Sequence, residues 1–118
     1  MGILVDKSFS LAIEIVQLYK YLIEEKREYV MSKQLLRSGT SVGAMVRESQ
    51  NAESKMDFVH KLSIAQKECD ETLYWLELTQ ATGYLNEQKF EACYQQTSEV
   101  LKILKSVILT TKQNLNKK

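Results

Sequence analysis

Between Asp6 and Lys26 apolar residues recur every three or four positions, a period that predicts a helix. Phe9, Ala12, Ile13, Val16, Tyr19 and Ile23 make one stripe, and Leu11, Ile15, Leu18 and Leu22 make a second beside it. Asp6 is the candidate N-cap of this first helix, over about 6–26. After the connector "REYVMS" the spacing resumes over about 33–52, with Ser32 as candidate cap. A third helix, about 55–82, opens at Ser54, whose hydroxyl can accept a backbone N–H near Asp57, and stops at Gly83. Its length of roughly 43 Å, at 1.5 Å per residue, demands partners that are also long or that stack. The fourth, about 87–115, opens at Asn86, with Leu85 and Phe90 at the two positions of a hydrophobic staple. "GYLN" is thus a tight turn between helices, and short connections favour antiparallel neighbours. The expected fold is all-α: an antiparallel, up-down-up-down four-helix bundle forming one domain over 1–118.

Composition narrows this further. A chain of 118 residues can close one hydrophobic core, and 44% hydrophobic with 26% charged residues is the make-up of a globular chain, not a disordered one. There is no proline and only four glycines, too few breakers for a turn-rich β fold. At the N-terminus Asp6 follows only three large apolar residues, which makes neither a signal-peptide core nor a membrane span, so a cytoplasmic location is expected. Cys69 and Cys93 stand 24 positions apart with no CxxC, and His60 is the single histidine, so the thiols read as buried and inert and no metal is expected.

Charge is distributed less evenly than the net value of +1 suggests. Residues 1–30 carry −1, 31–53 carry +1, 54–85 carry −2 and 86–118 carry +3. After Glu99 come Lys102, Lys105, Lys112, Lys117 and Lys118 with no acid among them. These lysines fit a basic patch for nucleic acid, or a solvated face that complements a helix C-terminus. The apolar positions say more. Val100, Leu101, Ile103, Leu104, Val107, Ile108 and Leu109 cover an arc wider than one core-facing stripe needs, as do those of the first helix. A second apolar face in so short a chain predicts self-association. Tyr74 and Trp75 point about 100° apart on a helix, so one of them is expected to meet a neighbouring subunit or a ligand.

Enzyme chemistry finds little support. A di-iron bundle needs two Glu-x-x-His units, and only the Asp57-x-x-His60 spacing occurs. Glu48, Glu68, Glu71 and Glu77 could serve acid–base chemistry, but carboxylates on charged helices are ordinarily solvated or hydrogen-bonded. Ser41, His60 and Asp57 lack a nucleophile elbow, and "SGTSVGA" lacks the lysine and the preceding strand of a phosphate loop. The expectation is a protein with no catalytic residues, cofactor or metal.

The stretch "QLLRSGTSVGAMVRESQ" instead offers close approach. Gly39 and Gly43, at i and i+4, share a face with small neighbours, and each costs about 1 kcal/mol against alanine in a helix, which packing must offset. A second reading is a polar seam in which Arg37, Ser41 and Glu48 bond to Glu71 or Glu77 of the third helix and fix register.

"QLLRSGTSVGAMVRES", followed by "DFVHKLSIAQKECDETLYWLEL" and "GYL", resembles the four-helix-bundle family of 23S rRNA intervening-sequence proteins, also labelled S23 ribosomal proteins. That family is related to the accessory variability proteins of diversity-generating retroelements. The resemblance spans roughly residues 8–110, with one departure: Met45 stands where the family has asparagine, which would make any polar seam partly apolar. It implies a bacterial cytoplasmic protein, an antiparallel bundle and a homopentameric ring. Two functions follow as expectations. One is an RNA-associated accessory ring touching phosphates through Arg37, Arg47, Lys102, Lys105 and Lys112. The other is a protein-interaction scaffold whose partner meets the surface near Trp75 and Tyr84. Neither involves a membrane.

Overall fold

The computed structural model describes residues 2–116; Lys117 and Lys118 of the basic run lie outside them. The described residues form four helices: α1 (Gly2–Glu24), α2 (Met31–Ser49), α3 (Lys55–Ala81) and α4 (Glu87–Leu115). Each packs against the next and α1 packs against α4, giving a body 54 Å long and 21 Å across in both other directions. That width is two helices by two at ordinary interaxial distances.

The core follows a strict three-four spacing. On α1 it comprises Leu4, Ser8, Leu11, Ile15, Leu18 and Leu22, and on α4 Phe90, Cys93, Thr97, Val100, Leu104 and Ile108. Of the two apolar stripes on the first helix, the one through Leu11 and Leu22 is inside. The stripe through Phe9 and Ile13 faces outward, with those two side chains 57% and 47% exposed.

Two helix starts differ from the sequence reading. The first helix begins at Gly2, not at Asp6, because Leu4 continues the buried spacing one turn earlier and holds that turn against the core. Asp6 is therefore an interior, exposed residue. The second begins at Met31, and Ser32 lies inside it. Its cap comes from a side chain upstream: buried Glu28 accepts the N–H groups of Val30 (3.2 Å) and Met31 (3.1 Å) on one oxygen and of Ser32 (2.7 Å) on the other. One carboxylate thus satisfies three donors that the helix start leaves open. The chain reverses just before, where Arg27 takes a left-handed φ of 52°. The C-termini of α1 and α2 fall two and three residues before the expected ends. After Ser49 the backbone tightens into i→i−3 bonds, Asn51 N–H to Glu48 O and Ala52 N–H to Ser49 O.

The other signals act as read. Ser54 Oγ accepts from Asp57 N at 3.0 Å, and Asn86 Oδ1 accepts from Lys89 N at 2.8 Å, with Leu85 and Phe90 both buried behind it. At the end of α3 the N–H of Tyr84 reaches Thr79 O and that of Gly83 reaches Gln80 O, the double bond of a Schellman stop, with Gly83 at φ 89°.

Hydroxyls are unusually frequent inside. Ser8, Ser38, Ser49, Thr72, Thr79 and Thr97 are buried, and each donates to a carbonyl three or four residues back in its own helix. Two buried contacts cross between helices: Thr72 Oγ1 lies 3.0 Å from Ser38 Oγ, and Cys69 Sγ donates to Thr97 O at 3.3 Å.

Candidate functional site

The glycines of α2 set how closely α1 approaches. A Cβ placed on Gly39 would lie 2.6 and 2.8 Å from Cγ1 and Cγ2 of Ile15, and one on Gly43 would lie 3.2 Å from the backbone oxygen of Ser8. The first glycine makes room for a branched side chain, the second for a backbone. Beside Gly43 the two helices leave a mostly apolar groove of about 470 Å³, walled by Phe9 and Ala12 of α1 and by Ala44 and Arg47 of α2.

On the opposite side of α2, Arg37 reaches α3. Its guanidinium donates to Glu71 Oε2 at 2.6 Å and to both oxygens of Glu68 at 3.2 and 3.3 Å. Glu71 Oε2 also accepts the Trp75 indole N–H at 2.9 Å. The Arg37 bond, and after it the Trp75 bond, hold the Glu71 carboxyl below the usual carboxylate range; Glu71 and then Glu68 push the guanidinium higher still. This cluster sits at the surface: the Arg37 and Glu71 side chains are 48% and 36% exposed.

The expected seam is therefore shorter and less buried than the sequence reading had it. Ser41 donates to Arg37 O in its own helix at 2.7 Å and bridges nothing. Glu48 faces Lys61 at 3.5 Å. Glu77 turns the other way and accepts the Tyr94 hydroxyl of α4 at 2.9 Å, which raises that hydroxyl's pKa. The member that was missed is Glu68. Its spacing of three from Glu71 puts both on one face of α3, which was the available signal. Met45 packs against the core.

Of the residues expected at an interface, Trp75 is half-buried and held by Glu71, and Tyr84 is half-buried against the core. The outward member of the aromatic pair is Tyr74, 55% exposed, with its ring edge-on to Trp75 at 4.9 Å.

Three cations form ion pairs. Arg37 is neutralised by two carboxylates, Lys7 pairs with Glu99 at 3.0 Å, and Lys61 pairs with Glu48. Arg47, Lys102, Lys105 and Lys112 are exposed and have no carboxylate within 4.0 Å among the described residues. On α4 the three lysines fall within about 80° of one another, with exposed Leu109 between them, on the side away from the core.

The thiols of Cys69 and Cys93 are buried, and burial pushes both up to about 12. No group of three metal-ligating side chains occurs among the described residues, and none of their helices is long and apolar enough to cross a membrane.

Comparison with known proteins places a family model and solved structures beside this chain. A family model described as "23S rRNA-intervening sequence protein" matches residues 3–106. A crystal structure from Bacteroides thetaiotaomicron, described as a protein of unknown function from the S23 ribosomal protein family, superposes with a TM-score of 0.88 at 50% identity. The alignment covers 89% of this chain and 97% of that one. No curated protein matches.

Proposed function

The chain belongs to the 23S rRNA-intervening sequence protein family, and from that premise we propose that it is a non-enzymatic, self-associating helix bundle that binds RNA through the exposed cations of α4 and the end of α2. The observation that carries this reading is the alignment of Lys102, Lys105 and Lys112 on one exposed face of α4, none of them held by a carboxylate among the described residues. Unpaired, solvent-facing ammonium groups keep their full attraction for phosphate, and each phosphate contact releases counterions. A rise of 1.5 Å per residue spreads the three over about 15 Å, enough to follow several phosphates of one strand.

The bundle is read as up-down-up-down. Supporting this, partner numbers run in opposition along each pair: Gly39 with Ile15 and Gly43 with Ser8, Arg37 with Glu71 and Glu48 with Lys61, Cys69 with Thr97 and Glu77 with Tyr94. The outward Phe9 and Ile13 support self-association, and the family resemblance supports five copies as a cytoplasmic ring. Repetition around such a ring would multiply a modest patch.

Fluorescence anisotropy with structured RNA, across a salt series, tests the reading. Binding that weakens steeply with salt supports it; a flat response, or no binding at low salt, sinks it. Sedimentation showing a monomer at micromolar concentration removes the ring. The second reading is a protein scaffold, favoured by the exposed Phe9, Ile13 and Tyr74. A native pull-down whose partner survives nuclease treatment distinguishes it from the first.

A further inference from the structure

Between α1 and α4, at the end of the bundle away from the α4 lysines, lies a second groove, of about 300 Å³ and of different chemistry. Its walls are Glu14, Gln17 and Tyr21 on α1 and Gln88 and Lys89 on α4, and Cys93 closes its floor. The groove exists because α4 turns two short side chains, Ala92 and Cys93, toward α1 there. The ammonium of Lys89 lies over the face of the Tyr21 ring, 4.4 Å from its centre, a cation–π contact made by a long, exposed side chain. Glu14, Gln17 and Gln88 make no side-chain hydrogen bond among the described residues; Glu14 is half-buried and the two exposed amides stand at the rim, so all three are open to a partner from solvent. Glu14 is also close to the floor: after burial itself, its charge is the next cause that raises the Cys93 thiol.

We propose that this groove takes one unstacked base of single-stranded RNA, with Lys89 swinging from the Tyr21 face to the adjoining phosphate, the ring so uncovered as the aromatic wall, and Glu14, Gln17 and Gln88 on the edge of the base. Single-stranded recognition uses this set of parts: an aromatic face for the ring, a cation for the backbone, and side-chain donors and acceptors for the base edge. The carboxylate sharpens the assignment. A carboxylate only accepts hydrogen bonds, so Glu14 pairs with the exocyclic amino group of cytosine and meets the O4 acceptor of uracil unfavourably. The groove therefore prefers amino-bearing bases. This inference rests on the RNA reading above and places the base contact on residues other than the lysines that carry it.

The test compares short, fluorescently labelled r(C) and r(U) oligonucleotides binding to the full chain, two pyrimidine polymers that differ at the group Glu14 would read. Wild type is expected to favour r(C) by about fivefold, the worth of roughly one hydrogen bond. Glu14→Gln and Glu14→Ala should level that preference, and Ala92→Leu, which fills the groove from an exposed position, should weaken r(C) binding to the r(U) level. Joint replacement of Lys102, Lys105 and Lys112 by Ala should lower both affinities alike and leave the preference intact. Circular dichroism melts confirm that each variant is folded. Equal r(C) and r(U) binding, unchanged by Glu14→Ala and Ala92→Leu, overturns the groove while the RNA reading stands. Absence of any RNA binding overturns both. Cytidine monophosphate that binds as tightly as r(C) overturns the assignment to a strand.

Discussion

Gly39 of α2 stands directly over the branched side chain of Ile15 on α1, with 2.6 Å between the position of a first added carbon and Cγ1. Ile15 is fully buried and both its γ carbons are in the way, so the neighbour has no free end to swing aside. Gly39→Ala gains about 1 kcal/mol of helix propensity and incurs about 1–3 kcal/mol of overpacking, for a net loss of stability. Urea unfolding measures it. In the double variant with Ile15→Ala the two costs should fall short of their sum, because the obstructing carbons are gone. Strict additivity would show that the contact is not what excludes a side chain at 39.

Gly43 makes a softer contact, and larger substitutions are needed to reveal it. An added carbon meets the Ser8 carbonyl at 3.2 Å, which a small shift of the helices relieves, so Gly43→Ala should be milder than Gly39→Ala. Gly43→Leu drives a branched side chain into a backbone and should disrupt folding or assembly. A soluble Gly43→Leu protein with unchanged sedimentation and urea midpoint would contradict the close approach of α1 and α2.

Trp75 is the only tryptophan in the chain, and its indole N–H is bonded to Glu71, so its fluorescence reports on that carboxylate. The folded-state pKa of Glu71 is depressed, first by Arg37 and then by Trp75. Such a group contributes stability that is present above its unfolded pKa and is lost as pH falls through the folded value. Partial exposure keeps that contribution small. The fluorescence midpoint should lie below the usual value of about 4.3. Arg37→Ala should move it upward, and an unmoved midpoint would refute the coupling.

Glu28 is the cap of α2, although it lies outside that helix. Glu28→Ala leaves three backbone N–H groups without their partner and should cost about 1–3 kcal/mol in urea unfolding. Glu28→Gln keeps one acceptor oxygen and should lie between alanine and wild type. If Glu28→Ala is neutral, water replaces the carboxylate without loss.

Cys69 and Cys93, with thiols near 12 and no exposure to speak of, should resist alkylation at pH 8 in the native protein. Labelling followed by mass spectrometry should track the urea transition. Rapid modification of either thiol in the absence of urea would show that the core opens locally.

Four helices and two of their three connections were legible in the chain because caps and stops leave local chemical marks. Ser54, Asn86, Leu85 with Phe90, and Gly83 each act within a few residues of where they stand. Glu28 was missed because its role depends on the left-handed turn at Arg27, which no side-chain pattern announces. Asp6 misled for the opposite reason: its chemistry suits a cap, but burial of Leu4 outweighs it. At the surface, the reach from Arg37 to Glu71 follows from the polar faces that the helical spacing gives α2 and α3. The diversion of Glu77 to Tyr94 depends on rotation of α3 about its own axis, which periodicity fixes only to within a side chain. The α1–α4 groove arises from two short residues opposite a charged face, and no motif marks it.

The buried hydroxyls have a thermodynamic consequence. Because Ser8, Ser38, Ser49, Thr72, Thr79 and Thr97 are each bonded within their own helix, docking adds only the Thr72–Ser38 contact to what these hydroxyls donate, and the stronger bonds between helices, such as Arg37 to Glu71, sit at the surface. What drives the docking is removal of apolar surface from water, a force that is entropic near room temperature and weakens on cooling. Calorimetry should accordingly find a large heat-capacity change for unfolding with little enthalpy at the low end of the range, and a bundle that loosens in the cold before its helices do.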